Sequence, residues 1–230
     1  MADGGTLKLR ITDLIGSDYT TIATYSGDLI NAAINEVADM ISNEMLLKHS
    51  KTPGILQSNS EWLVEDRKIL NVTRIDSDTS GIERKCKEVN RGEFALAADS
   101  GSIYKATAYS PIYHQDTSND GAATLKILPE PGSTQKGKIW YFSYIADSYD
   151  AEDITGALLN SSLYLPSNCI HAVALKSCIN ILQAFISEQV QEEEDQEMLG
   201  MVTTQLQGLE KSFAQEMQRF MDKVEQPEGE

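Results

Sequence analysis

The chain has 230 residues, 41% of them hydrophobic, and a formal net charge of −16 from 19 Lys and Arg against 35 Asp and Glu. That length and apolar content suit one large domain or a domain with an inserted subdomain, and they exclude a disordered chain. The acidity excludes a surface that grips nucleic acid, which needs clustered Lys and Arg, yet a negative wall lets a polyanion slide past.

The first block covers residues 1–54. Met1 to Gly5 lack the basic and apolar regions of a signal peptide. Leu7, Leu9 and Ile11 alternate, which predicts a short strand. Ser26 is placed to cap a helix bearing Leu29, Ile30, Ala33, Ile34, Val37, Ile41 and Met45. Lys48 and His49 suit its negative C-terminal end. Pro53-Gly54 then breaks the chain.

The second block, 55–147, reads as β-rich. Predicted strands are Lys68–Ile75, Glu83–Val89, Ser102–Tyr109, Ala122–Leu128 and Lys138–Ile145. Polar turns separate them: Asp76 to Gly81, Asn90 to Gly92, Asn119 to Gly121 and Pro129 to Gly132. Short strands joined this way predict an antiparallel sheet or small barrel. Val72, Ile103, Ile127, Trp140 and Phe142 are its expected core, and Glu93–Ala98 suits a helical turn.

The third block, 148–225, is helical. Ser167 or Asn168 is placed to cap a helix with Ile170, Val173, Ala174, Ile181, Leu182 and Phe185. No apolar run here approaches the roughly 20 residues that span a bilayer. An acidic stretch, Gln191–Glu197, precedes a long terminal helix in which Gly200 is a weak point. Leu199, Val202, Leu206, Leu209, Phe213, Met217, Phe220 and Val224 recur in steps of three and four, so they share one face. Such a seam must bury against its own domain or against another chain. From 187 to 230, three basic residues stand against 12 acidic ones, so −9 of the charge lies there. The plain account is a solvated helix face; the functional one is an acidic lumen or a rim meeting a basic partner. Residues 226–230 form a tail. The expected fold is α+β: a helical bundle with an inserted antiparallel β-sheet or small β-barrel, and a long C-terminal helix.

Chemistry finds little support. Asp76, Asp78, Ser80 and Gly81 mimic the first half of a calcium loop, but the closing acid position is Lys87. Glu83-Arg84-Lys85 with Asp76 or Asp78 has the residue types of a metal-dependent nuclease core, in a pattern common on charged strands. His49, His114 and His171 are far apart, without a nucleophile elbow. No Walker loop, dinucleotide fingerprint or Cys-x-x-Cys occurs. Cys86, Cys169 and Cys178 are odd in number and widely spaced, which predicts reduced thiols and a cytosolic setting. No catalytic residue, cofactor or metal is expected.

Three stretches carry a resemblance. Leu165-Pro166-Ser167 opens a helix with Ala172, Ala174, Ile179, Leu182 and Ala184, followed by the acidic stretch and the terminal helix. Ser102 to Ala106, Tyr109 to Tyr113 and Leu125 to Pro131 form a strand–Pro–strand–Pro series. Ile139 to Tyr144 then returns to the helical part. In type and order, over most of 25–225, this resembles the head-to-tail adaptor (neck, or head-completion connector) proteins of tailed bacteriophages. The resemblance implies a structural virion protein at the head–tail junction, assembled in the host cytoplasm. It implies a self-associated ring, commonly dodecameric, that meets the portal and the tail or other neck proteins and passes genomic DNA through its lumen. It also implies that the seam, Leu199 to Val224, is a partner or subunit interface. A tail terminator or tail-tube component is the near alternative; an acidic metal-dependent nuclease or regulator is the distant one.

Overall fold

The structure is a computed structural model, and it describes residues 6–16, 26–49, 53–57, 62–64, 66–76, 81–117, 123–145, 165–192 and 196–222. The fold is α+β, with a long C-terminal helix. The chain forms two compact units: Met1–His49 with Ile145–Glu230, and Ser50–Tyr144. These bounds lie within a few residues of the expected insertion at 55–147.

The helical unit opens with α1 (Leu7–Ile15), which replaces the expected strand. Thr6 caps it, its side chain accepting from the Leu9 N–H, and Gly16 closes it in the left-handed region at φ 80°, its N–H donating to Thr12 O. Leu7 and Ile11 are fully buried while Leu9 is 57% exposed. Spacing of four is a helical face, so the alternation was a coincidence of a short run. Helix α2 (Ser26–Met40) ends earlier than the periodicity suggested, and a separate α3 (Asn43–His49) follows. Ser42 decides the break: its hydroxyl accepts the Met45 N–H at 3.3 Å, a capping bond that competes with continuing the helix.

Pro166 leads into a 3-10 turn, Ser167–Cys169, so Ser167 and Asn168 lie inside the turn and do not cap by side chain. Helix α5 (Ile170–Glu192) follows, and then α6 (Gln196–Asp222). The stretch Ser167–Glu188 is long and apolar enough to cross a membrane, contrary to the sequence reading, yet most of it is buried within the protein. Its neighbours explain that composition. Helices α1, α2 and α6 all pack on α5, and a helix covered on most sides is apolar most of the way round. Ala172, Val173, Ala174, Cys178 and Ile181 are fully buried. Asn180 donates to Leu29 O at 3.4 Å, and Lys176 pairs with Glu36 at 2.7 Å, tying α5 to α2. Asn35 clamps the returning chain by exchanging two hydrogen bonds with the backbone of Ile145.

The β unit holds two four-stranded sheets. One runs β1 (Gly54–Leu56), β8 (Gly137–Ser143), β3 (Arg67–Ile75), β4 (Glu83–Lys85); the other runs β2 (Trp62–Leu63), β7 (Ala123–Leu128), β6 (Ile112–Thr117), β5 (Lys87–Glu88). Leu56, Val72 and Ile139 of the first sheet meet Leu125 and Ile127 of the second in one buried cluster with Val64 and Cys86. The sheets approach closely at two glycines: a Cβ on Gly137 would lie 2.6 Å from Ile127 Cδ1, and one on Gly54 would lie 2.7 Å from the Trp62 ring.

The expected strand Glu83–Val89 is divided. At Cys86 the chain passes from one sheet to the other: the Cys86 N–H donates to Val72 O, while the Lys87 N–H donates to Pro111 O. Among the described residues, all strand pairs are antiparallel except β5 with β6. Parallel neighbours need a crossover, here α4 (Arg91–Ala98), which carries a capping box between Asn90 and Glu93. Ser102–Tyr109 is not a strand. Asp99, Ser102 and Thr107 side chains accept the N–H groups of Gly101, Tyr104 and Ser110, which a ladder would otherwise use. Val72, Ile127 and Phe142 are buried as expected, Trp140 is half-buried, and Ile103 is 90% exposed instead of in the core.

Candidate assembly surfaces

The seam of α6 faces its own unit. Leu209, Met217 and Phe220 are buried, and Leu199, Val202, Leu206 and Phe213 are half-buried; Val224 lies outside the described residues. The helix packs along α5. Gln205 reaches further, its amide donating to Leu14 O at 3.1 Å and Ile15 O at 3.2 Å at the end of α1. These carbonyls have no partner within their own helix, so the bond caps α1 from a distance. Of the two sequence readings, intramolecular burial is the one this packing fits. On the acidic back, Glu210 is exposed and Glu216 pairs with Arg219 at 2.8 Å. The tail and most of the acidic run preceding α6 lie outside the described residues or have no described side chains.

Apolar exposure on α6 lies elsewhere, at Met198 (37%) and Met201 (70%) beside exposed Glu197. The i, i+3 spacing of the two methionines was readable, but the stronger seam masked it.

A second apolar surface follows α4 in the β unit. Ile103 is 90%, Tyr104 69% and Tyr109 76% exposed. Their backbone is held in place. Besides the side-chain bonds to Asp99, Ser102 and Thr107, the Ala106 N–H donates to Ala97 O at 3.0 Å. Ala106 joins Ala97 and Ile112 in a buried cluster. The Tyr109 ring receives the Arg84 guanidinium at 5.0 Å.

Charge divides sharply between the units. The β unit carries 12 Lys and Arg against 12 Asp and Glu, whereas the helical unit carries seven against 23. The entire −16 therefore belongs to the helical unit.

Asp76 and Glu83, the described carboxylates of the metal-like pattern, have other partners. Asp76 pairs with Arg84 at 3.1 Å, and Asp78 and Ser80 lie outside the described residues. Glu83 accepts from Thr73 and binds Lys138 at 2.6 Å. Burial pushes the Glu83 carboxyl up, but these two hydrogen bonds outweigh it and hold it below its ordinary range. Among the described residues, no group of three His, Cys, Asp or Glu is placed to hold a metal. His114 meets Val89 O through Nδ1 at 3.0 Å, and its ring lies tilted against Phe94 with centroids 5.6 Å apart. No family model, curated protein or solved structure matches the chain.

The three cysteines are free and buried. Burial pushes each thiol from 9.0 up to about 12; Glu216 adds to this at Cys169, and Arg74 opposes it at Cys86. The folded state thus keeps thiols neutral that the unfolded chain would ionise. Their contribution to stability is full below pH 9 and is lost as pH rises toward 12. A thiol reagent near neutral pH is expected to label none of the three until denaturant is added. Rapid labelling of the folded chain would contradict the buried placement.

Proposed function

We propose that this chain is a structural subunit of the head-to-tail connector of a tailed bacteriophage, and not an enzyme. The observation that carries the reading is the charge division. A helical unit holding all of the −16 is suited to a channel wall that DNA passes without sticking. A neutral β unit is suited to contacts with protein neighbours. The helical body with a β insertion and a long terminal helix is in keeping with the same reading. On this reading the chain sits at the head–tail junction as a ring, with portal on one side and tail or neck proteins on the other.

The test is assembly with portal rings encoded by the same genome. Light scattering and electron microscopy are expected to show a ring of this chain coaxial with the portal, with an open lumen. Absence of any portal complex would overturn the proposal, as would magnesium-dependent DNA cleavage abolished by Glu83→Gln.

A further inference from the structure

We propose that the Ile103–Tyr104–Tyr109 tip is a contact between copies of this chain, seated on the Met198–Met201 start of α6 in a second copy. The inference deepens the connector reading and rests on it for the expectation of many copies in one assembly.

The tip is exposed by construction. The N–H of Tyr104 and those of flanking Gly101 and Ser110 are satisfied locally by Ser102, Asp99 and Thr107, and Ala106 anchors the base in a buried cluster. Of the three side chains, Tyr109 packs on Arg84, while Ile103 and Tyr104 are held toward water. Pre-ordered aromatic and aliphatic groups are what anchor protein interfaces, because little entropy remains to be lost on docking.

Charge selects the occupant. Segment 84–105 carries five Lys and Arg against three Asp and Glu, the opposite balance to the helical unit. Lys105 stands within the tip and is exposed. Two helical units pressed together would set like charges against each other, which disfavours that contact. An apolar tip carrying Lys105, with Arg84 on Tyr109, meets an acidic helical unit without that repulsion. Within the helical unit, Met198 and Met201 beside Glu197 combine exposed apolar surface with negative charge. Methionine adapts its shape to an incoming side chain. Two different patches meeting in this way make a head-to-tail contact, which closes into a ring when the rotation permits.

Disulfide trapping tests the contact. The native cysteines are buried, so Tyr104→Cys and Met201→Cys supply the only accessible thiols expected. Mild copper-phenanthroline oxidation of the double variant is expected to give a non-reducing gel ladder in multiples of 25.4 kDa. Each single variant is expected to remain monomeric on the gel. Absence of the ladder overturns the proposal, and so does a dimer from Tyr104→Cys alone, which would mean tip against tip. Separately, Ile103→Asp with Tyr104→Asp is expected to keep native circular dichroism while its light-scattering mass falls to 25.4 kDa. Retention of the wild-type oligomer overturns the contact. Binding of the chain to phosphatidylcholine–phosphatidylglycerol vesicles, lost in that variant and without a ladder, would assign the tip to lipid and overturn it as well. The two proposals fail separately. A ladder without portal binding removes the connector reading alone, and portal rings without a ladder remove this contact alone.

Discussion

Replacing Leu209 and Phe213 together by Asp is expected to unfold the helical unit. Leu209 is 7% exposed and Phe213 half-buried, on the face of α6 that packs along α5. Full burial of one such side chain stabilises by about 1.5–3 kcal/mol, and placing an uncompensated carboxylate there adds several more. The combined loss is about 5 kcal/mol or more, comparable with the total stability of roughly 5–15 kcal/mol for a whole domain. Both tryptophans, Trp62 and Trp140, belong to the β unit, which allows the units to be followed separately. Helical circular dichroism should collapse while the tryptophan emission transition changes little. A variant that keeps native helicity and melting temperature would show that the seam is not the unit's own core. Docking of the seam on another chain would then regain its place.

Arg74→Met is expected to destabilise the β unit by about 2–3 kcal/mol, the upper range for leaving buried acceptors without their donor. Arg74 is 2% exposed. Its Nε donates to Pro129 O at 2.8 Å, Nη1 to Ile75 O at 3.0 Å, and Nη2 to Glu130 O and Gln135 Oε1 at 3.2 and 3.0 Å. One guanidinium thus holds the connection by which the chain leaves β7 in one sheet and enters β8 in the other. Burial draws Arg74 below its ordinary value, and nearby Cys86 and Asp76 oppose that shift. Methionine fills part of the space but leaves these acceptors without their donor. Lysine restores the charge without the planar fork, so Arg74→Lys is expected to recover only part of the loss. Tryptophan-monitored urea unfolding measures both. A midpoint unchanged in Arg74→Met would mean that the 129–136 connection holds itself.

The same residue shows where local pattern stops being informative. Ile69 and Val72 both face the β core although they are three apart, which strict alternation forbids. An irregularity between Ile69 and Asn71 shifts the pairing of β3 with β8 and turns the following residues over. Arg74 follows Val72 by two and so points inward with it. No charge or hydropathy pattern in the strand announces that shift, because it depends on how β8 lies alongside.

What the sequence determined by itself was what each short window can bury. The 3.6-residue period in 170–186 and 199–220 and the break at Pro129 to Gly132 are local, and each appears where it was expected. Only the tertiary structure decided which neighbour covers each face. It made Leu7 and Ile11 a helical pair because α5 receives them, turned the seam onto α5, sent Cys86 across between sheets, and left Ile103 in water. Propensity and periodicity act over a few residues, whereas burial is a property of surfaces brought together from distant parts of the chain.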